Sequence, residues 1–421
     1  MRVIAFVAAA GIAAIVSFAL SMVIWKLSTR YRLYPKIRER DVHTRPTPRL
    51  GGVAMFLGVV IALGIGSFLP SLALAYSQPM HVWGLIGAAL MIVLIGVADD
   101  IWDLDWFTKL AGQMLAAALL AWSGIQFLSF PLPGVVVNLA SWQSLVITVI
   151  SIVLVMNAIN FIDGLDGLVA GVAIIANGVF SVYVFMLSTG QQSDYFSLAQ
   201  LISAVLIGAC LGFLPLNWHP ARLFMGDAGS MLVGLMMAAS TISVTGQVDA
   251  TSVEETVGSA RQLVPALIPL LLPFTILIVP LLDFGLAIIR RLRAGKSPFS
   301  ADRKHLHHRL LDMGHSHLHA VLILYGWTGA ASIGLLLFLF IDTWWAALAT
   351  ALGLLACTIV TLAPLSRRKA AEAAAQSADP ALDDADVARF DPLDAAATDG
   401  EAPSEDEVRE VLTRLHERED S

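Results

Sequence analysis

Two neighbouring carboxylates are the first residues in this chain whose placement calls for an explanation. In the segment Gly96-Val-Ala-Asp99-Asp100-Ile-Trp-Asp103-Leu-Asp105, the charges of Asp99 and Asp100 repel one another unless a cation or a shared proton relieves them. The pair suits Mg²⁺, a diphosphate handled through Mg²⁺, or a general base; a solvated turn capping a helix is the plainer alternative. A second segment, Asn157-Ala-Ile-Asn160-Phe-Ile-Asp163-Gly-Leu-Asp166-Gly-Leu, sets Asn160, Asp163 and Asp166 three residues apart among apolar neighbours. If a helix opens there, they share a face of its first turns, and its amino terminus favours anions. Otherwise the Asp-Gly steps make a loop and a cap.

A third segment, Phe224-Met-Gly226-Asp227-Ala-Gly229-Ser230, combines small residues, which let a backbone approach a phosphate, with a hard oxygen ligand in Asp227. Asp is also a common helix cap, so this motif alone is weak. A fourth holds Asp302-Arg303-Lys304-His305-Leu-His307-His308-Arg309 in a long basic loop. Histidine clusters often bind zinc, yet no loop supplies a cysteine to complete such a site. Arg303, Lys304 and the imidazoles read better as donors to phosphate oxygens. A basic anchor for anionic headgroups accounts for the Arg and Lys but not for His305, His307 and His308. His315, His317 and His319 read as interfacial residues. Lys109, nine residues past the acidic pair, is placed either to neutralise a phosphate or to snorkel toward the membrane surface.

The elements that must position these groups are membrane helices. The chain has 421 residues, 57% hydrophobic and 14% charged, with mean hydropathy +0.75. That composition excludes a soluble enzyme and a disordered body. With two cysteines, Cys210 and Cys357, both in apolar runs, it also excludes a disulfide scaffold. A helix needs about 20 mostly apolar residues to cross the hydrocarbon core. On that measure an all-α, polytopic fold is expected, with about eleven spans near 3–25, 51–75, 81–98, 107–122, 143–157, 165–187, 198–216, 228–245, 263–289, 320–341 and 344–364. The ninth carries Pro265, Pro269, Pro273 and Pro280 and is expected to be kinked or broken. The first is too long for a signal-peptide core.

Lys and Arg in the connections orient the spans. Lys26 to Arg49 holds eight and Arg290 to His319 holds seven, with Arg367, Arg368 and Lys369 after the last span. All fall on one side, which places the amino terminus outside and the carboxy terminus in the cytoplasm. The gaps on that side are also the ones that hold the four motifs, as a cytoplasm-facing active site requires. Charge divides along the chain as well. Ala370 to Ser421 carries 16 Asp and Glu against 4 Arg, so the net −7 is the sum of a +5 membrane body and a −12 tail. The expected organisation is therefore a membrane catalytic domain, 1–369, and a mostly disordered acidic tail, 370–421. Within the tail the Ser404-Glu-Asp-Glu407 capping box, with Val408, Val411, Leu412 and Leu415, predicts a short helix over 404–418.

In this order and on one membrane side, the motifs resemble those of the polyprenyl-phosphate N-acetylhexosamine-1-phosphate transferase superfamily. The likeness runs over about residues 40–310 and includes His43 and Pro48-Arg-Leu-Gly51-Gly52. The resemblance implies transfer of a sugar 1-phosphate from a UDP-sugar to a membrane polyprenyl phosphate, with release of UMP. It implies that Asp227 ligates Mg²⁺, for which Mn²⁺ is a candidate substitute, and that Asn160 is a second ligand or a diphosphate contact. Asp99 and Asp100 would bind or deprotonate the lipid phosphate, Asp166 would recognise uracil, Lys109 and Arg303 would contact phosphate or sugar, and His305 would lie beside the diphosphate. Asp163, His307 and His308 match the motif without so definite a role. The Asn-Phe-Ile-Asp-Gly and Asp302-to-Leu310 segments look like the branch that takes UDP-GlcNAc; the phospho-MurNAc-pentapeptide transferase branch is the alternative. The resemblance further implies a homodimer in a bacterial plasma membrane, with the lipid bilayer but no nucleic acid as partner. A secondary transporter is the competing class, but it would place its acids near the midplane and show paired repeats.

Overall fold

The computed structural model describes residues 2–31, 47–132, 135–190, 194–245, 310–311 and 313–378, with isolated positions between 285 and 295. The chain divides into two compact units, Met1–Pro364 and Leu365–Ser421.

The first unit is a bundle of apolar helices: α1 (Arg2–Tyr31), α2 (Gly51–Gly66), α3 (Pro79–Trp102), α4 (Trp106–Trp122), α5 (Ser141–Ile162), α6 (Leu168–Gly190), α7 (Asp194–Asn217), α8 (Gly226–Thr245), α9 (His317–Leu337) and the start of α10 (Thr343–Ala378). Eight of these are long and apolar enough to cross a membrane, or nine spans if α2 is joined to the 3-10 turn that follows it. Their outward faces carry Ile, Leu, Val and Trp rather than charge, as helices surrounded by lipid do. α7 and α8 are buried along most of their length, while α10 is exposed over most of its surface as far as Ala363. On α1 five of the buried positions, Ala5, Ala9, Ala13, Ser17 and Ser21, are four apart, and Ser28 is the sixth. This small-residue face packs on α7, where the Ser17 hydroxyl donates to Ala209 O at 2.9 Å.

The helices depart from the expected spans in three places. Residues 51–75 are not one straight span: α2 stops at Gly66 and the chain bends by 112° into the 3-10 turn Pro70–Tyr76. Pro70 cannot continue a helix, and the Tyr76 hydroxyl ties the turn back to Leu63 O at 2.6 Å. The chain is also not wholly α. An antiparallel hairpin, β1 (Ser129–Leu132) and β2 (Val135–Asn138), lies between α4 and α5. Three consecutive valines after Pro133-Gly134 favour strands, a signal too short to register on a ruler of 20 residues. Third, α5 continues to Ile162, five residues past its expected end, so Asn157 and Asn160 belong to its last turns and not to the opening of α6. α2, with 16 residues, and α4, with 17, are the two shortest helices aligned with expected spans. Apart from Gly285 and Ile289 the expected ninth span lies outside the described residues, as does the 404–418 helix. In the second unit, the described residues continue α10 to Ala378.

Candidate active site

Four helix ends converge on one polar cluster. α3 and α5 arrive there, and α4 and α8 depart from it. The local sequence explains each end. Asp103 terminates α3 in the left-handed region, at φ 55°, and its N–H donates to Asp99 O. Asp105 caps α4, its carboxylate accepting from Thr108 N at 3.0 Å and from the Thr108 hydroxyl at 2.6 Å. The run of acids after Gly96 is therefore divided: Asp103 and Asp105 make the turn, and Asp99 and Asp100 face the cluster.

Lys109, four residues beyond that cap, is the bridge. Its Nζ lies 2.6 Å from Asp227 Oδ2 and 3.1 Å from Asp99 Oδ2. The three side chains are only 18%, 30% and 8% exposed for Lys109, Asp227 and Asp99 respectively. Asn160 reaches across from α5, and its Nδ2 donates to Asp227 Oδ1 at 2.8 Å and to the Ser230 hydroxyl at 2.8 Å. Asp100 turns to the other side of α8, where its Oδ2 accepts from Asp227 N at 3.1 Å. The repulsion expected of the acidic pair is thus relieved separately, for Asp99 by an ammonium and for Asp100 by a helix amino terminus.

This convergence requires close backbone approach. Gly226 opens α8 at φ 65°, where a Cβ would sit 2.3 Å from both Arg49 O and Asp100 Oδ2. Gly96 lies against the same turn, and a Cβ there would be 2.3 Å from Ala228 N. The segment before α2 joins in as a short strand-like strip: Phe224 N donates to Pro48 O, Gly51 N to Phe224 O and Gly52 N to Met225 O, at 2.8–3.0 Å. Small residues in the Gly226 motif therefore serve helix packing around Asp227.

Asp163 and Asp166, three residues apart, are not equivalent. Asp163 ends α5, and its carboxyl is pushed up to about 8, first by removal from water and then by the nearby Asp227 charge, with Arg49 pulling the other way. Asp166 belongs to a neighbouring group. Its side chain is 2% exposed, and its Oδ2 lies 2.7 Å from His219 Nδ1 and accepts from Ala221 N at 3.0 Å. His219 in turn stacks on His317 with ring centroids 5.2 Å apart, so His317 packs against this group rather than standing at an interface alone. Close by, Asn217 accepts from Gly167 N and donates to Leu223 O.

Of the residues singled out from sequence, Asp99, Asp100, Lys109, Asn160, Asp163 and Asp227 come together, and Asp166 is held beside them. Arg303, His305, His307 and His308 lie outside the described residues, as does His43. Sequence reasoning gave Arg49 no role beyond its place in the Pro48-Arg-Leu-Gly51-Gly52 motif, yet it is close enough to act electrostatically on Asp100 and Asp163. Gln113 was missed, an ordinary polar residue within an apolar run, and Ser230, the last residue of the Gly226 motif, was given no role of its own. Cys210 and Cys357 are free thiols.

Comparison with known proteins identifies the family. The pattern described as glycosyl transferase family 4 matches residues 82–245. Decaprenyl-phosphate N-acetylglucosaminephosphotransferase of Mycolicibacterium smegmatis is 40% identical over 360 residues, 85% of this chain and 87% of that protein. A probable undecaprenyl-phosphate N-acetylglucosaminyl 1-phosphate transferase of Bacillus subtilis is 32% identical over 68% of the chain and 72% of its own length. A phospho-N-acetylmuramoyl-pentapeptide-transferase of Desulforudis audaxviator is 27% identical over 56% of the chain and 75% of its own. The matched residues take in Asp99 to Asp227, and the likeness to the first relative covers 85% of the chain; the chain belongs to glycosyl transferase family 4.

Proposed function

We propose that the chain transfers N-acetylglucosamine 1-phosphate from UDP-GlcNAc to a polyprenyl phosphate, giving polyprenyl-diphosphate-GlcNAc and UMP. A phosphate oxygen of the lipid attacks the β-phosphorus of the nucleotide sugar, a new P–O bond forms, and the bond to the UMP oxygen breaks. Both reactants are anions, so the barrier is one of charge and placement. The observation that carries the reading is the Lys109 bridge: a cation held between Asp99 and Asp227, with Asn160 fixing the second oxygen of Asp227. The greater likeness to GlcNAc-phosphate transferases than to the pentapeptide transferase supports the choice of sugar.

Mg²⁺ fits the residues present. Among the described residues Asp99, Asp100 and Asp227 are set against Lys109 and Arg49, with Asp163 a further carboxyl that a bound cation would favour in its charged form, and dianionic substrates would meet that many carboxylates unfavourably. Among the described residues no three His, Cys, Asp or Glu make a ready cage. The available ligands are hard oxygens, Asp227 first and Asn160 Oδ1 second, of the kind Mg²⁺ takes when phosphates complete its shell. When bound, the ion supplies Lewis-acid neutralisation of the diphosphate. Lys109 and Arg49 then hold the phosphates, and Asp99 with Asp100 orients the acceptor. Arg303, His305, His307 and His308 would add donors from the following loop. The positive-inside pattern supports a cytoplasmic position for this end of the bundle, in a bacterial membrane with the amino terminus outside. Purified chain incubated with polyprenyl phosphate, Mg²⁺ and either UDP-GlcNAc or UDP-MurNAc-pentapeptide is expected to release UMP from the first alone. Turnover of the second in preference would transfer the chain to the peptidoglycan branch, and absence of UMP from both would end the transferase reading.

A further inference from the structure

Beneath the charged cluster lies a second layer built by three of its four helices, α4, α5 and α8. One turn from Lys109 on α4 is Gln113, one turn from Asn160 on α5 is Asn157, and one turn from Asp227 on α8 is Met231. These three also meet. Asn157 Nδ2 donates to Gln113 Oε1 at 2.7 Å and to Val153 O at 2.8 Å, and Gln113 Nε2 donates to Met231 Sδ at 3.1 Å. Gln113 is 1% exposed, in a helix whose other buried residues are Gly, Ala and Leu. An unpaired amide in such surroundings is destabilising, and an apolar residue would fill the place without that liability.

What the amide bond fixes is rotation. The Asp105 cap holds where α4 begins but leaves the helix free to turn about its axis. Turning it by about 20° would carry the Lys109 ammonium roughly 2 Å sideways, given the reach of a lysine from the helix axis. That displacement is large beside hydrogen bonds of 2.6 and 3.1 Å. A bond one turn deeper, between short and well-packed side chains, resists such rotation far better than the flexible lysine can.

We propose that Gln113 and Asn157 form a positioning layer that sets the rotation of α4 against α5 and α8, so that Lys109, Asn160 and Asp227 meet. The link to turnover rests on the transferase reading; the placement of Lys109 does not. The test uses Gln113→Leu, Asn157→Leu, the double leucine variant and the reciprocal swap Gln113→Asn/Asn157→Gln, each purified as the full chain in detergent. UMP release from UDP-GlcNAc is measured beside thermal unfolding and the rate at which an amine-acylating reagent modifies Lys109, read by mass spectrometry against exposed Lys26. Each single leucine is expected to lower kcat about 10–100-fold, with KM nearly unchanged and Lys109 modified several-fold faster, while the unfolding midpoint falls only modestly from the partner amide left unpaired. The double variant should be no worse than the weaker single, and the swap, which preserves the combined reach, should regain most of the activity. Wild-type kcat and Lys109 reactivity in Gln113→Leu would overturn the proposal, as would a loss of kcat that only follows the unfolding midpoint. If the leucine variants fail to fold, a folded swap decides: fast Lys109 modification in it overturns the layer. Should the wild type release no UMP, the function fails while Lys109 reactivity still judges the layer.

Discussion

Lys109 is an internal counterion, and its removal should be felt in two ways. Lys109→Gln leaves Asp99 and Asp227 facing one another, and breaking a largely buried pair by deleting one partner typically costs about 3 kcal/mol. It should therefore lower the unfolding temperature in detergent and reduce kcat at least about 100-fold. Asp227→Asn is expected to separate these effects: Lys109 keeps Asp99 as a partner, so the protein stays folded and inserted, yet UMP release is abolished across a Mg²⁺ titration. Near-wild-type activity would remove Asp227 from the metal site. Asp163 gives a pH-dependent test. Its folded pKa of about 8 lies above the ordinary carboxylate value, so its ionisation works against the fold as pH rises from about 4 to about 8. Asp163→Asn should gain thermal stability relative to wild type across that window and gain nothing more above it; a constant difference from pH 5 to 9 would contradict the assignment. Asp99, Asp100, Lys109, Asn160 and Asp227 could all be read from the sequence because charge and amides are rare in apolar surroundings. Arg49 could not, since it sits among many basic residues whose topological role hides a local one. The separation of Asp163 from Asp166 was equally hidden, because it depends on where α5 ends.

At the scale of elements, the cluster depends on how tightly α3 and α8 can approach. Gly96→Ala places a methyl group 2.3 Å from the backbone of Ala228, which no rotamer can avoid. It should destabilise by about 1–3 kcal/mol and cut turnover, whereas Gly178→Ala on α6, with nothing within 4 Å of the added carbon, should leave activity intact. Equal behaviour of the two variants in unfolding and UMP release would show that close packing at α8 is unimportant. Hydropathy located these helices well because burial in lipid needs only length and apolar content. It could not locate the bend after α2, the hairpin before α5 or the extra turns of α5. Those follow from Pro70, from three valines and from Asn157 and Asn160, polar residues that hydropathy counts as an ending but that α5 carries inward to Gln113 and Asp227.

Across the whole molecule, the basic loops predict which end of the bundle meets the cytoplasm. In a variant with Cys210 and Cys357 replaced, Ser77→Cys should react with a membrane-impermeant maleimide on intact cells, and Arg222→Cys should react only after permeabilisation. The opposite pattern would invert the topology and put the Lys109 bridge outside the cell. The helices that enclose this bridge run in both directions, α3 and α5 ending at it and α4 and α8 beginning there. Each beginning contributes a partial positive charge and each ending a partial negative one, so at a distance the four macrodipoles largely cancel. The potential an approaching anion feels is then written almost entirely in side chains, and can be reset one residue at a time without rebuilding the bundle.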